Sequence, residues 1–245
     1  MSHPESTSLT LKEIVKNNFH AAAVFETYSL DFCCRGGKTV DEACAEKGLD
    51  PARVMDELVR ALETAPQSGE RFAEWDASFL LTYIVNNHHA YVRKMIPVLL
   101  THTQKIARVH GENHPELVEI AEHFRHVADE LTSHMHKEEA ILFPAILSLI
   151  DAKKNGRAGL ASAFGSVKNP IRMMESEHES AGDAFYAIRS LSSGYTVPPD
   201  GCTTYSITYQ ELQDFEQDLH QHVHLENNIL FPLAIRIEEE LTSVN

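Results

Sequence analysis

HMHKEEAILFP, residues 134–144, and HVHLENNILFP, residues 222–232, both read HxHxExxILFP. On an α-helix, residues four apart lie within about 40° of one another around the axis, so His134 and Glu138 share a stripe, as do His222 and Glu226. Each pair is spaced to reach one metal centre. The inner histidines, His136 and His224, are turned away by about 200° and are excluded as ligands. One HxxxE pair is commonplace on a solvated helix face. Its duplication, with the same apolar residues and the same proline, points to two helices that face each other across a bundle.

Around the boxes, apolar residues recur at helical spacing from Glu74 onward, and four long helices are predicted near 76–109, 115–152, 169–193 and 203–241. Pro115 and Asn169-Pro170 are start signals; Gly111 and Gly194 are stops. Before them, Thr10…Glu13 and Thr39…Glu42 are capping-box patterns, Gly48 is a C-terminal stop and Asp50-Pro51 opens a further helix. The polar stretch TAPQSGE, residues 64–70, separates the two parts. The predicted fold is therefore all-α: a small helical domain over 1–65, then an antiparallel four-helix bundle over 74–245.

The other two long helices each carry a histidine at mid-span: His178, and either His89 or its neighbour His88. Four imidazoles and two carboxylates with no thiolate form a donor set for iron or manganese. Six ligands are too many for one zinc and suit two ions about 3–4 Å apart, with the glutamates bridging. Glu130, one turn before His134, and Glu177, beside His178, are candidates to hydrogen-bond the ligands from behind. Cys33 and Cys34 lie in a loop near Arg35, Lys38 and a helix start, surroundings that would lower a thiol pKa and make them candidate redox or delivery thiols.

Composition narrows the function classes. Histidine numbers 15 in 245 residues, and the net charge of −15 opposes binding to nucleic acid or anionic membranes. No stretch reaches the roughly 18 apolar residues of a membrane span, and the start MSHPESTSLT lacks a secretory pattern. With only four cysteines, two of them adjacent, a cytoplasmic protein with free thiols is expected.

SHMHKEEAILFP, MESEHE and HLENNILFP in such a bundle resemble the hemerythrin-like fold. Together with DFCCRGG (31–37) they are similar to the repair-of-iron-centres family of di-iron proteins, along essentially the whole chain. Arg35 departs from the family pattern, which often runs directly from Cys-Cys into Gly-Gly. The resemblance implies a stress-response protein that repairs iron–sulfur clusters damaged by nitric oxide or oxidation. Its oxo- or hydroxo-bridged di-iron centre would sit on His89, His134, Glu138, His178, His222 and Glu226, and its vicinal thiols would be Cys33 and Cys34. It selects His89 over His88. Expected partners are damaged iron–sulfur proteins and nitric oxide or oxygen, with a homodimer among the expected assemblies. With two histidines, two carboxylate oxygens and one bridge per iron, a six-coordinate ion keeps one position open. The alternatives are a nitric oxide reductase, which makes enzyme status open, and an oxygen- or redox-sensing binding protein.

Overall fold

The computed structural model describes residues 9–64, 72–156 and 165–243. Among them the regular secondary structure is helical, and Thr10 and Thr39 form an isolated antiparallel bridge. Beyond Thr64, the predicted break at 64–70 lies outside the described residues. The chain divides into two compact units, one within 1–80 and 223–232, the other within 81–222 and 233–245.

The first unit holds helices α1 (Leu11–Asn17), α2 (Ala21–Thr27), α3 (Val40–Lys47) and α4 (Pro51–Thr64). Both capping boxes form: the Thr10 and Thr39 side chains accept from the backbone N–H of Glu13 and Glu42, whose carboxylates reach back to the threonine N–H at 2.9 and 2.8 Å. Gly48 ends α3 in the left-handed region, φ 64°. Leu11, Val15, Phe25, Phe32, Val40 and Val54 form the core. The loop before α3 is pinned to the start of α1 by Leu11 N–H to Lys38 O and Lys12 N–H to Gly36 O, both 2.9 Å. Gly36 has no room for a side chain there, since a Cβ would fall 2.2 Å from the Phe32 carbonyl oxygen.

Four long helices come next. A 3-10 turn, Phe72–Glu74, precedes α5 (Ala77–Tyr83), which passes through a π-helical turn, Ile84–His89, into α6 (Ala90–His110). The second helix is α7 (Glu116–Lys137), a π turn at Glu138–Leu142, then α8 (Phe143–Lys154). The third, α9 (Lys168–Leu191), is unbroken, and the fourth is α10 (Thr203–Leu225), a π turn at Glu226–Leu230, and α11 (Phe231–Ser243). Helix α7 packs along both α6 and α9. Phe124, Phe185 and Phe215, all fully buried, bring α7, α9 and α10 together with ring centroids 5.6 to 6.4 Å apart. Buried Glu216 ties α10 to α9 by accepting from Arg189, Nη2 at 2.5 Å, and from the Tyr195 hydroxyl at 2.9 Å. No helix of the described residues is long and apolar enough to cross a membrane.

The two box-associated π turns arise from the prolines. Pro144 and Pro232 have no N–H to give to the carbonyl four residues back, and their rings would crowd it. The N–H of the preceding residue, Phe143 or Phe231, instead bonds to the carbonyl of Glu138 or Glu226, five residues back. The sequence pattern predicts continuous α-helices here, and the wide turns are a departure from it.

Candidate metal centre

The six residues expected to hold metal converge. His134 and His222 lie on the last turns of α7 and α10, and Glu138 and Glu226 open the π turns directly after them. His89 closes the π turn ahead of α6, and His178 is in mid-α9. None is more than 1% exposed. His89 Nε2 lies 3.1 Å from His222 Nε2, and His134 Nε2 lies 3.0 Å from His178 Nε2. One Glu138 oxygen, Oε2, is 3.3 Å from Nε2 of both His89 and His134. Two sets of ligand atoms, each within 4.8 Å of one another, result: His89, Glu138, His222, Glu226 and His134, Glu138, His178, Glu226. Both glutamates belong to both sets, and each set adds two imidazoles.

The hydrogen bonds behind two of these imidazoles fix which nitrogen faces inward. His134 Nδ1 donates to Glu177 at 2.8 Å and His89 Nδ1 to Glu139 at 2.6 Å. Lys137 also binds Glu177, and Arg93 also binds Glu139. The bond from His134, helped by Lys137, holds the Glu177 carboxyl down at about 2. Burial raises that of Glu139, but the bonds from His89 and Arg93 outweigh it and leave the group below its ordinary value. Both are thus carboxylates at neutral pH and accept from Nδ1, which leaves Nε2 of His89 and His134 as the inward-facing ring nitrogen. Each Nε2 lies 3.3 Å from the same Glu138 oxygen, so that a cation between them can draw on imidazole and carboxylate together. The donor set therefore fits two cations.

Other candidates are placed apart from the two sets. His88 is buried beside the centre, with Nδ1 2.9 Å from Asp218 Oδ1 and its ring stacked on that of His222. Glu130 is engaged by Ser180 at 3.2 Å and His126 at 3.2 Å, and the bond behind His134 goes to Glu177. The inner histidines both lie outside the ligand sets but are not equivalent. His136 is exposed, whereas His224 is buried, and burial lowers its pKa to about 4. Sequence reasoning missed Glu139, which reaches across to another helix, and the π turns, for which the repeated ILFP proline was the available signal.

The cysteine loop differs from expectation. Cys33 is buried, Cys34 is half-buried, and their sulfurs are 3.7 Å apart. Asp31 Oδ1 accepts from the N–H of Cys33 and Cys34 at 3.0 and 2.9 Å and from the Cys33 thiol at 3.4 Å. The contact with Cys34, burial and the Asp31 charge push the Cys33 thiol well up, while Lys38 is engaged by Glu46 at 2.7 Å. At Cys33 the shift is therefore upward, so the lowering expected of one thiol of the pair is not found at this one. Asp31, Cys33 and Cys34 themselves form a third set with metal-ligand spacing.

The lowered thiol is elsewhere. Cys202, exposed just ahead of α10, lies 3.2 Å from His110 Nε2, and that contact with the Tyr205 and Thr204 N–H groups brings its pKa down to about 7. Iodoacetamide labelling followed by peptide mass spectrometry is expected to modify Cys202 first, with a rate midpoint near pH 7. His110→Phe should move the midpoint upward; an unmoved midpoint would contradict the contact.

Comparison with known proteins gives matches to both parts. Residues 80–234 match the family model of the hemerythrin HHE cation binding domain, and residues 7–62 match ScdA_N, a domain of unknown function. The chain is 34% identical over 218 residues to the iron-sulfur cluster repair protein YtfE of Yersinia pseudotuberculosis serotype IB (strain PB1/+), covering 89% of this chain and 92% of that one. The proteins of the same name from Yersinia pestis (strain Pestoides F) and Yersinia pestis bv. Antiqua (strain Angola) match with the same identity and coverage.

Proposed function

Because the chain belongs to the repair-of-iron-centres family of hemerythrin-domain proteins, we propose that it repairs damaged iron–sulfur clusters from a di-iron centre on His89, His134, Glu138, His178, His222 and Glu226. The observation that carries this reading is the pair of buried four-residue sets sharing two glutamates. Two irons bound there would supply exchangeable iron and an open position for nitric oxide. The chain's own residues do the rest. Glu139 and Glu177 orient His89 and His134 and keep their inward nitrogens basic. The closed apolar surroundings, Phe143 among them with its ring stacked on His89 at 5.7 Å, exclude bulk water.

In this reading residues 1–65 and 74–245 act as two functional domains, the first presenting Cys33 and Cys34 to the client protein and the second holding iron, within the cytosol. The test is reactivation of a nitric-oxide-damaged iron–sulfur enzyme by the iron-loaded protein. Recovery should require the loaded form and fall when Cys33 and Cys34 are both replaced by Ala, with the iron spectrum of the double variant intact. No recovery by the loaded wild type would reject the repair role. Formation of nitrous oxide from nitric oxide by the reduced protein, without recovery, would identify a reductase instead.

A further inference from the structure

The two boxes share their histidine–glutamate pair and the inner histidine, but not the two residues that follow the glutamate. Where the first has Glu139 and Ala140, the second has Asn227 and Asn228, and the shared inner histidine, His136 or His224, stands in different surroundings. His136 is exposed, whereas His224 and Asn228 are buried. Asn228 Nδ2 donates to the Phe32 carbonyl at 3.3 Å and lies 2.9 Å from His224 Nδ1, which accepts. Asn227 Nδ2 donates to the Cys33 carbonyl at 3.3 Å. The rings of Phe19 and Phe32 lie against His224, centroids 5.5 and 6.2 Å away.

Two successive carbonyls of the cysteine loop are thus held by two successive side chains of one π turn, whose first residue is Glu226. The Cys33 peptide is gripped on both sides, its N–H by Asp31 and its carbonyl by Asn227. At 3.3 Å, the two asparagine bonds sit at the long end of the N–H···O range. A cation drawing on the Glu226 carboxylate pulls on the residue directly preceding these two asparagines.

We propose that Asn227 and Asn228 are positioning residues through which the Glu226–Leu230 turn couples the Cys33–Cys34 loop to occupancy of the histidine–glutamate centre. The proposal rests on the reading of Glu226 as a metal ligand. It also accounts for the inner histidine of the second box, which supports Asn228 from beneath, and for the alanine that stands at the matching position of the first.

The experiment compares alkylation rates of Cys33 and Cys34 in the full chain, metal-free and anaerobically loaded with iron(II). Peptide mass spectrometry gives the rate at each thiol, and metal analysis is run on the same samples. Loading is expected to change the wild-type rate at one or both thiols by about fivefold or more, the lower end of coupling between two sites. Replacing both asparagines by Ala should bring the loaded and metal-free rates together while iron content stays at the wild-type level; Asn227→Gln, which keeps the amide, should retain part of the difference. Wild-type rates that ignore iron overturn the coupling. So does a difference that survives in the double variant, as iron held directly by Asp31, Cys33 and Cys34 would produce. Failure of the ligand reading shows separately, as wild-type protein that takes up no iron.

Discussion

Glu138→Ala and Glu226→Ala are each expected to reduce bound iron from two ions per chain to less than one, measured by metal analysis after anaerobic reconstitution and desalting. Each carboxylate belongs to both ligand sets, so one substitution removes a donor from both ions at once. A histidine belongs to a single set. His89→Ala or His178→Ala should therefore leave about one ion in place, a difference that counts the sets as well as testing the residues. His136→Ala, on the exposed face of α7, should keep both ions. Glu177→Gln and Glu139→Gln remove the charged acceptor behind an imidazole, and their cost should be graded, on the order of 10- to 100-fold in affinity. At most one iron in the wild type, or equal losses in Glu138→Ala and His136→Ala, would sink the assignment.

The second large effect concerns stability. In the metal-free protein the Glu138 carboxyl group is fully buried, where a negative charge is costly to hold; in the loaded protein a cation offsets that charge. A ligand at a hundredfold excess over its Kd stabilises by about 2.7 kcal/mol, and two ions by roughly twice that. For a unit of this size the gain corresponds to about 10–20 °C in Tm. Glu138→Gln separates the two states, since a neutral amide removes the buried charge but is a poor ligand. The variant is expected to melt above the wild type when metal-free and below it when iron is present. Calorimetric scans with and without chelator measure both orders, and a variant that melts below the wild type in both would show that the carboxylate is satisfied without metal.

The residues of the centre were legible because helical phase is local: His134 and Glu138, or His222 and Glu226, can be set on one stripe from their spacing alone. His89 could not be separated from His88 in that way. The two are adjacent on a helix whose π turn shifts the phase just where it must be read, and one ends inside a ligand set while the other pairs with Asp218. Glu139 was hidden for a different reason, because its partner His89 comes from another helix. At the cysteine loop the local signals in the sequence compete. Arg35 and Lys38 were weighed as cations, whereas Asp31, two residues before Cys33, bonds to its N–H and thiol in an Asx-type turn that DFCC already spells. His224 shows the limit of a repeat: the motif is the same in both boxes, but one inner histidine faces solvent and the other lies beneath phenylalanines.

A π turn holds one residue more than the α-helical turn it replaces, and the extra residue rotates the downstream helix by about 100°. Deleting a single residue from Glu138–Leu142 would leave nearly the same composition. It would also swing Phe143–Lys154 out of register with His134 and Glu138. At this point the chain stores information in a count of residues rather than in their kind, so a scan of substitutions would pass over it and only a change of length would expose it.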